Sequence, residues 1–248
     1  MEFGLTAEQS LLVDTVRSFV EREIYPHEDR VDRLGEVPPD LAESLKAKAI
    51  ELGLYACNFP EEVGGAGLSH LDLTLVEREL GRGSMALTHF VARPQNILMA
   101  CEGDQRERYL FPTVRGDRMD ALAMTEPDAG SDVRGMSCTA RRSGGDWVVS
   151  GTKHFISGGA HADFFIVFVA TGVDTTEKGP KKRITCFLVD RGTPGFEVRE
   201  GYASVSHRGY PNHILSFDDC RLSDAQVLGE VDGGFAVMNT WLYATRLT

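Results

Sequence analysis

Two short stretches concentrate the chemistry-bearing residues of this chain. Met124-Thr125-Glu126-Pro127-Asp128-Ala129-Gly130-Ser131-Asp132 puts hydroxyls, carboxylates and a glycine into one loop. Lys153-His154-Phe155-Ile156-Ser157-Gly158-Gly159 places an aromatic ring one residue from an isoleucine and two from a hydroxyl. Gly130 can take a positive φ and turn consecutive backbone N–H groups toward an anion, with the Ser131 hydroxyl as a further donor. Together the stretches can hold a planar ring with hydrogen-bonding edges against a thin acyl chain. Composition alone favours a plainer reading of the first stretch, a strand-to-strand loop in which Asp128 and Asp132 make local side-chain bonds. Phe155, taken without its neighbours, reads as a core aromatic in a strand.

Residues that far apart need a scaffold to meet, and the residue pattern supplies one. Leu11, Leu12, Val16, Phe19 and Val20 form an apolar stripe at helical spacing, and Thr6 with Gln9 resembles a capping box before it. Pro38 and Pro39 open a second helix through Leu41, Leu45, Ala49 and Leu52, which Gly53 ends. Residues 58–68 read as a loop. Ser69, three residues before Asp72, starts a helix through Leu73, Val76 and Leu80. More helix is expected over 84–101 and again over 104–114.

Near Asp120 the period changes. Short β-branched segments separated by turn residues predict strands over 121–125, 138–142, 147–153, 164–170, 183–190, 196–198 and 213–221. Ser143-Gly144-Gly145-Asp146 predicts a hairpin turn, and Arg191-Gly192-Thr193-Pro194-Gly195 is a second turn cluster. From Gly233 a helical pattern returns through Phe235, Val237, Met238 and Leu242. The fold class is therefore α+β: an N-terminal α-helical domain over 1–118, then an antiparallel β-barrel or sandwich over 119–230. The start of a C-terminal helical bundle follows over 231–248.

Composition removes several function classes. The net charge of -11 argues against nucleic acid as a partner, because phosphate binding draws on clustered Lys and Arg. No apolar run is long enough to span a bilayer, and the N-terminus has neither a signal-peptide pattern nor a transit-peptide one. Cys57, Cys101, Cys138, Cys186 and Cys220 are odd in number and widely spaced, which points to reduced thiols rather than disulfides or a zinc site. The dispersed histidines give no metal-binding pair. Lys178, Lys181, Lys182 and Arg183 around Gly179-Pro180 read as a solvated hairpin tip, with a substrate-phosphate contact as the alternative.

A series of motifs runs along nearly the whole chain. Glu-Glu-Val-Gly-Gly-Ala-Gly-Leu ends at Leu68, Met-Thr-Glu-Pro-x-Ala-Gly-Ser-Asp at Asp132, and Gly-x-Lys-x-x-Ile-Ser at Ser157. Phe187-Leu188-Val189-Asp190, Thr193-Pro194-Gly195-Phe196, Arg208-Gly209, Phe217-Asp218-Asp219-Cys220, Leu228-Gly229-Glu230 and Gly233-Gly234-Phe235 follow. In kind and order these resemble the acyl-CoA dehydrogenases.

The resemblance implies that Leu122, Met124, Thr125, Gly130 and Ser131 belong to a segment wrapping the isoalloxazine ring of FAD. Thr125 would bond the pyrimidine edge, and Ser131 would lie near the flavin phosphates or the CoA. Phe155, Ile156 and Ser157 would cover the other edge, with the Ser157 hydroxyl toward flavin N5. The family usually has Trp where this chain has Phe155, which can still stack but lacks the indole N–H.

Tyr243 and Arg246 match positions that contact acyl-CoA, although an acidic residue is common at the former. Arg208 either orients a loop beside the flavin or makes a structural salt bridge. The implied reaction is α,β-dehydrogenation of an acyl-CoA thioester: a carboxylate takes the α-proton while the β-hydrogen leaves as hydride to the flavin. Family members carry that Glu either at the position of Thr245 or further downstream, so no catalytic base is expected within this chain.

The same resemblance implies an electron-transfer flavoprotein as acceptor and a homo-oligomer, dimer or tetramer. The expected location is the cytoplasm of a bacterium, or the mitochondrial matrix of a eukaryote. The chain is expected to stop short of a last helical domain, to bind FAD weakly by itself, and to expose an apolar face where that domain packs. Two alternatives stay open. One is a flavin-dependent oxidase or monooxygenase of the same fold. The other is a non-catalytic acyl-CoA-binding partner subunit.

Overall fold

The computed structural model of the chain describes residues 4–91, 94–177 and 179–245. Helix α1 (Ala7–Phe19) starts at a complete capping box: Thr6 Oγ1 accepts the Gln9 N–H, and Gln9 Oε1 accepts the Thr6 N–H. Its stripe buries Val13, Val16 and Phe19. A π-helical turn, Val20–Ile24, carries the chain into α2 (Tyr25–Leu34), which closes at Gly35 with φ 73°. Nothing in the spacing announces α2, since Pro26 reads as a breaker. Pro26 follows directly on the π turn, so the helix runs on through a position that has no N–H to give.

Helix α3 (Pro39–Glu51) buries Leu41, Ala42, Leu45 and Ala49. Helix α4 (His70–Leu80) is capped by Ser69, whose hydroxyl accepts the Asp72 N–H at 3.2 Å. The single helix expected over 84–101 is not there. Helix α5 (Met85–Thr88) gives way to 3-10 turns His89–Val91 and Asn96–Ala100. Pro94 lies between those turns, and a proline lacks the N–H that a helix interior needs. A π-helical turn, Arg106–Leu110, then runs into α6 (Phe111–Arg115).

The second half forms one sheet. Its strands are β1 (Asp120–Ala123), β2 (Thr139–Ser143), β3 (Asp146–Ser157), β4 (Phe164–Thr176), β5 (Gly179–Asp190), β6 (Phe196–Tyr202), β7 (Asn212–Leu222) and β8 (Val227–Leu228). They lie in the order β6-β7-β3-β2-β4-β5-β8, with β1 beside β4. Pairing is antiparallel except where β1 and β2 meet β4. Gly144 and Gly145, at φ 64° and 95°, make the two-residue turn joining β2 to β3, both central residues taking the positive φ such a hairpin needs.

Alternation along β4 divides the interior. Phe164, Ile166 and Phe168 join the core shared with the helices, while Phe165, Val167 and Val169 face a second core. That second core draws side chains from every strand, with Phe196 and Val198 of β6 at its margin, so the sheet curls around its own inner face. The α+β expectation with a barrel-like β part is met. Helix α7 (Gly234–Thr245) crosses close to β5: a Cβ on Gly234 would stand 2.7 Å from the Ile184 carbonyl oxygen.

All five cysteines are buried and free. No described helix is long and apolar enough to cross a membrane. The basic cluster at the β4–β5 hairpin is solvent-accessible and partly paired within the chain. Lys182 donates to Met136 O, and Arg183 pairs with Asp174 and Asp232. Lys178 lies outside the described residues.

Candidate functional site

A cavity of about 520 Å³ opens where the sheet meets the helical layer. Leu122, Met124 and Thr125 line it from β1 and its continuation, and Phe155, Ile156 and Ser157 line it from the end of β3. The period of two sends Ala121 and Ala123 into the second core and leaves Asp120, Leu122 and Met124 half-buried toward the cavity. The two stretches are tied directly, His154 N–H donating to Thr125 O at 2.8 Å.

A β-bulge aims the second stretch. Between Lys153 and Ile156 the ladder from β3 to β7 shifts register, and Phe155 sits at φ 55°, a costly conformation for an aromatic residue. Ile156 is buried as a result, while Phe155 is 55% exposed at the rim and stacks on Tyr202 with centroids 4.7 Å apart.

Just before the bulge, Lys153 turns inward and is fully buried. Its Nζ donates to Glu126 Oε1 at 2.7 Å and to Met124 O at 3.1 Å. Glu126 Oε2 accepts from the Ser137 hydroxyl at 2.8 Å and from the Cys138 N–H at 3.1 Å. Burial is the largest influence on Glu126 and pushes its carboxyl up. The Lys153 charge and the hydrogen bonds from Lys153 and Ser137 together outweigh it and hold the group below the ordinary value. Glu126 is thus a fastener of the loop. In the sequence Lys153 stands only as the lysine of the Gly-x-Lys-x-x-Ile-Ser motif, with no role attached.

Gly130 and Ser131 do not join the cavity lining; both are exposed. Reciprocal backbone hydrogen bonds between Glu126 and Ala129, at 2.9 and 3.3 Å, tighten the turn before them. Gly130 keeps out of the positive-φ region, so the expected anion-facing run of N–H groups is not formed there. Tyr243 contributes backbone to α7, but its side chain and all of Arg246 lie outside the described residues, as does the Thr245 side chain. Arg208 bridges to α2, donating to Asp32 O at 2.8 Å and pairing with its carboxylate at 3.4 Å.

Several cavity residues had no sequence signal. Asp120 Oδ1 accepts the Gln95 N–H at 3.4 Å, Oδ2 is buried without a partner, and burial raises this carboxyl to about 7. His89 is pushed down to about 4 by burial and by His161, and its Nε2 has no partner. The Ser157 hydroxyl donates to Asn212 Oδ1 at 2.8 Å, and Tyr210 also lines the cavity, its hydroxyl pushed up by burial. Among the described residues no His, Cys, Asp or Glu group could hold a metal ion. Leu122, Met124 and Ile156 offer an apolar face, Thr125 and Ser157 place hydroxyls at its margin, and Asp120 and His89 hold unpartnered polar atoms in the wall. That donor set fits a planar, polar-edged ring such as a flavin.

Comparison with known proteins converges on one family. Residues 6–117 match the acyl-CoA dehydrogenase N-terminal domain and residues 121–220 the acyl-CoA dehydrogenase middle domain. Benzylmalonyl-CoA dehydrogenase of Aromatoleum aromaticum is 34% identical over 239 residues, covering 94% of this chain and 60% of that protein. The structure of butyryl-CoA dehydrogenase from Megasphaera elsdenii superposes with a TM-score of 0.83 at 28% identity, over 99% of this chain and 64% of that one. An acyl-CoA dehydrogenase from Bacillus anthracis, complexed with FAD, gives a TM-score of 0.82 at 25% identity over 98% of this chain and 41% of its own. The chain spans about 60% of the length of the curated relatives it matches.

Proposed function

We propose, from the premise that this chain belongs to the acyl-CoA dehydrogenase family, that its central cavity binds FAD and an acyl-CoA thioester for α,β-dehydrogenation. The observation that carries the reading is the convergence of six residues, Leu122, Met124, Thr125, Phe155, Ile156 and Ser157, from two separate stretches onto one cavity. FAD, when bound, supplies the acceptor for the hydride that leaves the β-carbon. Leu122, Met124 and Ile156 bury the ring and exclude water from the reacting face. Thr125 and Ser157 orient it by its polar edges, and Phe155 with Tyr202 closes the rim. Lys153 and Glu126 keep the two binding stretches in register with each other.

The base for the α-proton is proposed to lie in the part of the relatives' length that this chain does not span. Ser131, Tyr243 and Arg246 are assigned to the acyl-CoA, and Gly130 with Ser131 also to the FAD. The segments 1–118, 119–230 and 231–248 are assigned as helical, β and second helical parts of one oligomeric enzyme. Its reduced cofactor would pass electrons to an electron-transfer flavoprotein.

Purified protein is to be titrated with FAD and then with acyl-CoA thioesters of graded length, flavin fluorescence and absorbance reporting binding at equilibrium. Saturable flavin binding whose spectrum shifts with at least one thioester supports the reading. Protein that binds neither flavin nor acyl-CoA at any concentration refutes it.

A further inference from the structure

Ser157 has one proton, and the structure shows where it goes: to Asn212 Oδ1, 2.8 Å away. In that arrangement the hydroxyl offers the cavity only a lone pair. The contact is built into the sheet, because Ser157 and Asn212 are register partners at the last rung of the β3–β7 ladder, beyond the Phe155 bulge. On the other side Asn212 is paired with Tyr202 of β6, and Gly201 packs so closely that a Cβ there would stand 2.0 Å from Asn212 O. The Asn212 backbone is therefore clamped between two strands, while its side-chain amide keeps one soft rotation.

An amide has an acceptor end and a donor end, which exchange on a half-turn. With Oδ1 toward Ser157, the serine donates to Asn212 and can accept from the cavity. With Nδ2 toward Ser157, the serine accepts from Asn212 and its proton is free to donate into the cavity.

We propose that Asn212 is a positioning residue that sets the hydrogen-bonding sense of Ser157, so that one hydroxyl serves the flavin ring nitrogen both oxidised, as an acceptor, and reduced, as an N–H donor. This rests on the flavin reading above. The redox change itself is the one already described, with hydride from the β-carbon and the α-proton to the base. The amide exchanges neither electrons nor net protons; it re-pairs the hydroxyl. The arrangement in the structure, Ser157 donating to Asn212, is the one that suits the reduced ring.

The test compares Asn212→Val and Asn212→Thr with the parent protein, each alone and in a Ser157→Ala background. The readouts are FAD affinity in both redox states, the midpoint potential and the 15N resonance of the ring nitrogen. Asn212→Val is expected to weaken reduced FAD roughly 10-fold more than oxidised FAD, since the serine proton loses its acceptor. For a two-electron couple that converts to a potential about 30 mV lower. Asn212→Thr, which keeps a donor and an acceptor, restores the parent potential. In Ser157→Ala protein, Asn212→Val has no further effect. An Asn212→Val protein that melts lower but keeps the parent potential and 15N shift would overturn the proposal, as would an undiminished effect without Ser157. Failure of every variant and the parent to bind flavin would instead strike the functional reading.

Discussion

The Lys153–Glu126 pair gives the sharpest quantitative test of how the site is held. Nζ and Oε1 are 2.7 Å apart, and the two side chains are 0% and 1% exposed. At an effective dielectric of about 20 the attraction at that distance is roughly 6 kcal/mol, set against several kcal/mol of desolvation for each ion. The intact pair is thus near break-even, but either charge alone is stranded. Lys153→Met leaves Glu126 with its donors from Ser137 and Cys138 but no counter-charge. Glu126→Gln leaves a buried ammonium and turns an NH2 toward those same N–H groups. Each single change is expected to cost about 3–5 kcal/mol. The Lys153→Met/Glu126→Gln double variant should cost clearly less than the sum, with a coupling of about 2–3 kcal/mol. Equilibrium unfolding in urea, analysed as a cycle at pH 7, measures all four states. Single losses below about 1 kcal/mol, or strict additivity, would refute the claim that this ion pair fastens the loop to β3.

Three further outcomes follow from the geometry. Because the Glu126 carboxyl is held below its ordinary value, the stability it contributes should be complete at neutral pH and disappear as pH falls below about 4; acid unfolding curves of the parent and the double variant should converge there. Asp120 behaves oppositely: raised to about 7, it keeps its proton better folded than unfolded, so its stability is complete below about pH 3.9 and is lost as pH rises through 7, by up to roughly 4 kcal/mol. Asp120→Asn should flatten the unfolding free energy between pH 4 and 7, and a parent profile already flat there would count against the burial of this acid. Gly65→Ala should cost about 2 kcal/mol or more, since the new Cβ would stand 2.1 Å from Phe59 O, whereas Gly103→Ala, with nothing within 4 Å, should cost only the left-handed backbone strain of about 1–2 kcal/mol; equal melting temperatures for the two would contradict this.

What the sequence makes legible is local. The Thr6–Gln9 box, the Ser69 cap and the Gly144-Gly145 turn all operate within four residues, and each sits where the pattern predicts. The two stretches that line the cavity, in and after β1 and at the end of β3, stood out because each is contiguous in the chain. The failures are of two kinds. Helix α2 and the broken 84–101 segment depended on where prolines fall within a turn, which decides whether a helix runs on through Pro26 and breaks at Pro94. Glu126 with Lys153, Ser157 with Asn212, and Asp120 with Gln95 depend on register across the sheet or packing between layers. A single chain read along its length carries no record of such pairings.

The shared core has a consequence for modularity. Phe164, Ile166 and Phe168 of β4 and Ile184, Cys186 and Leu188 of β5 sit in one apolar cluster with Phe19, Leu45 and Leu98 of the helical half. Tyr109, Arg108 and Arg118 add a polar rivet by meeting on Asp190. The change of pattern near Asp120 therefore divides two styles of sequence but not two independently folding bodies. Severing the chain there would strip the sheet's outer face and leave the helices without a floor. The described parts should melt as a single cooperative transition, and neither half is a part that could be transplanted to another scaffold with its shape intact.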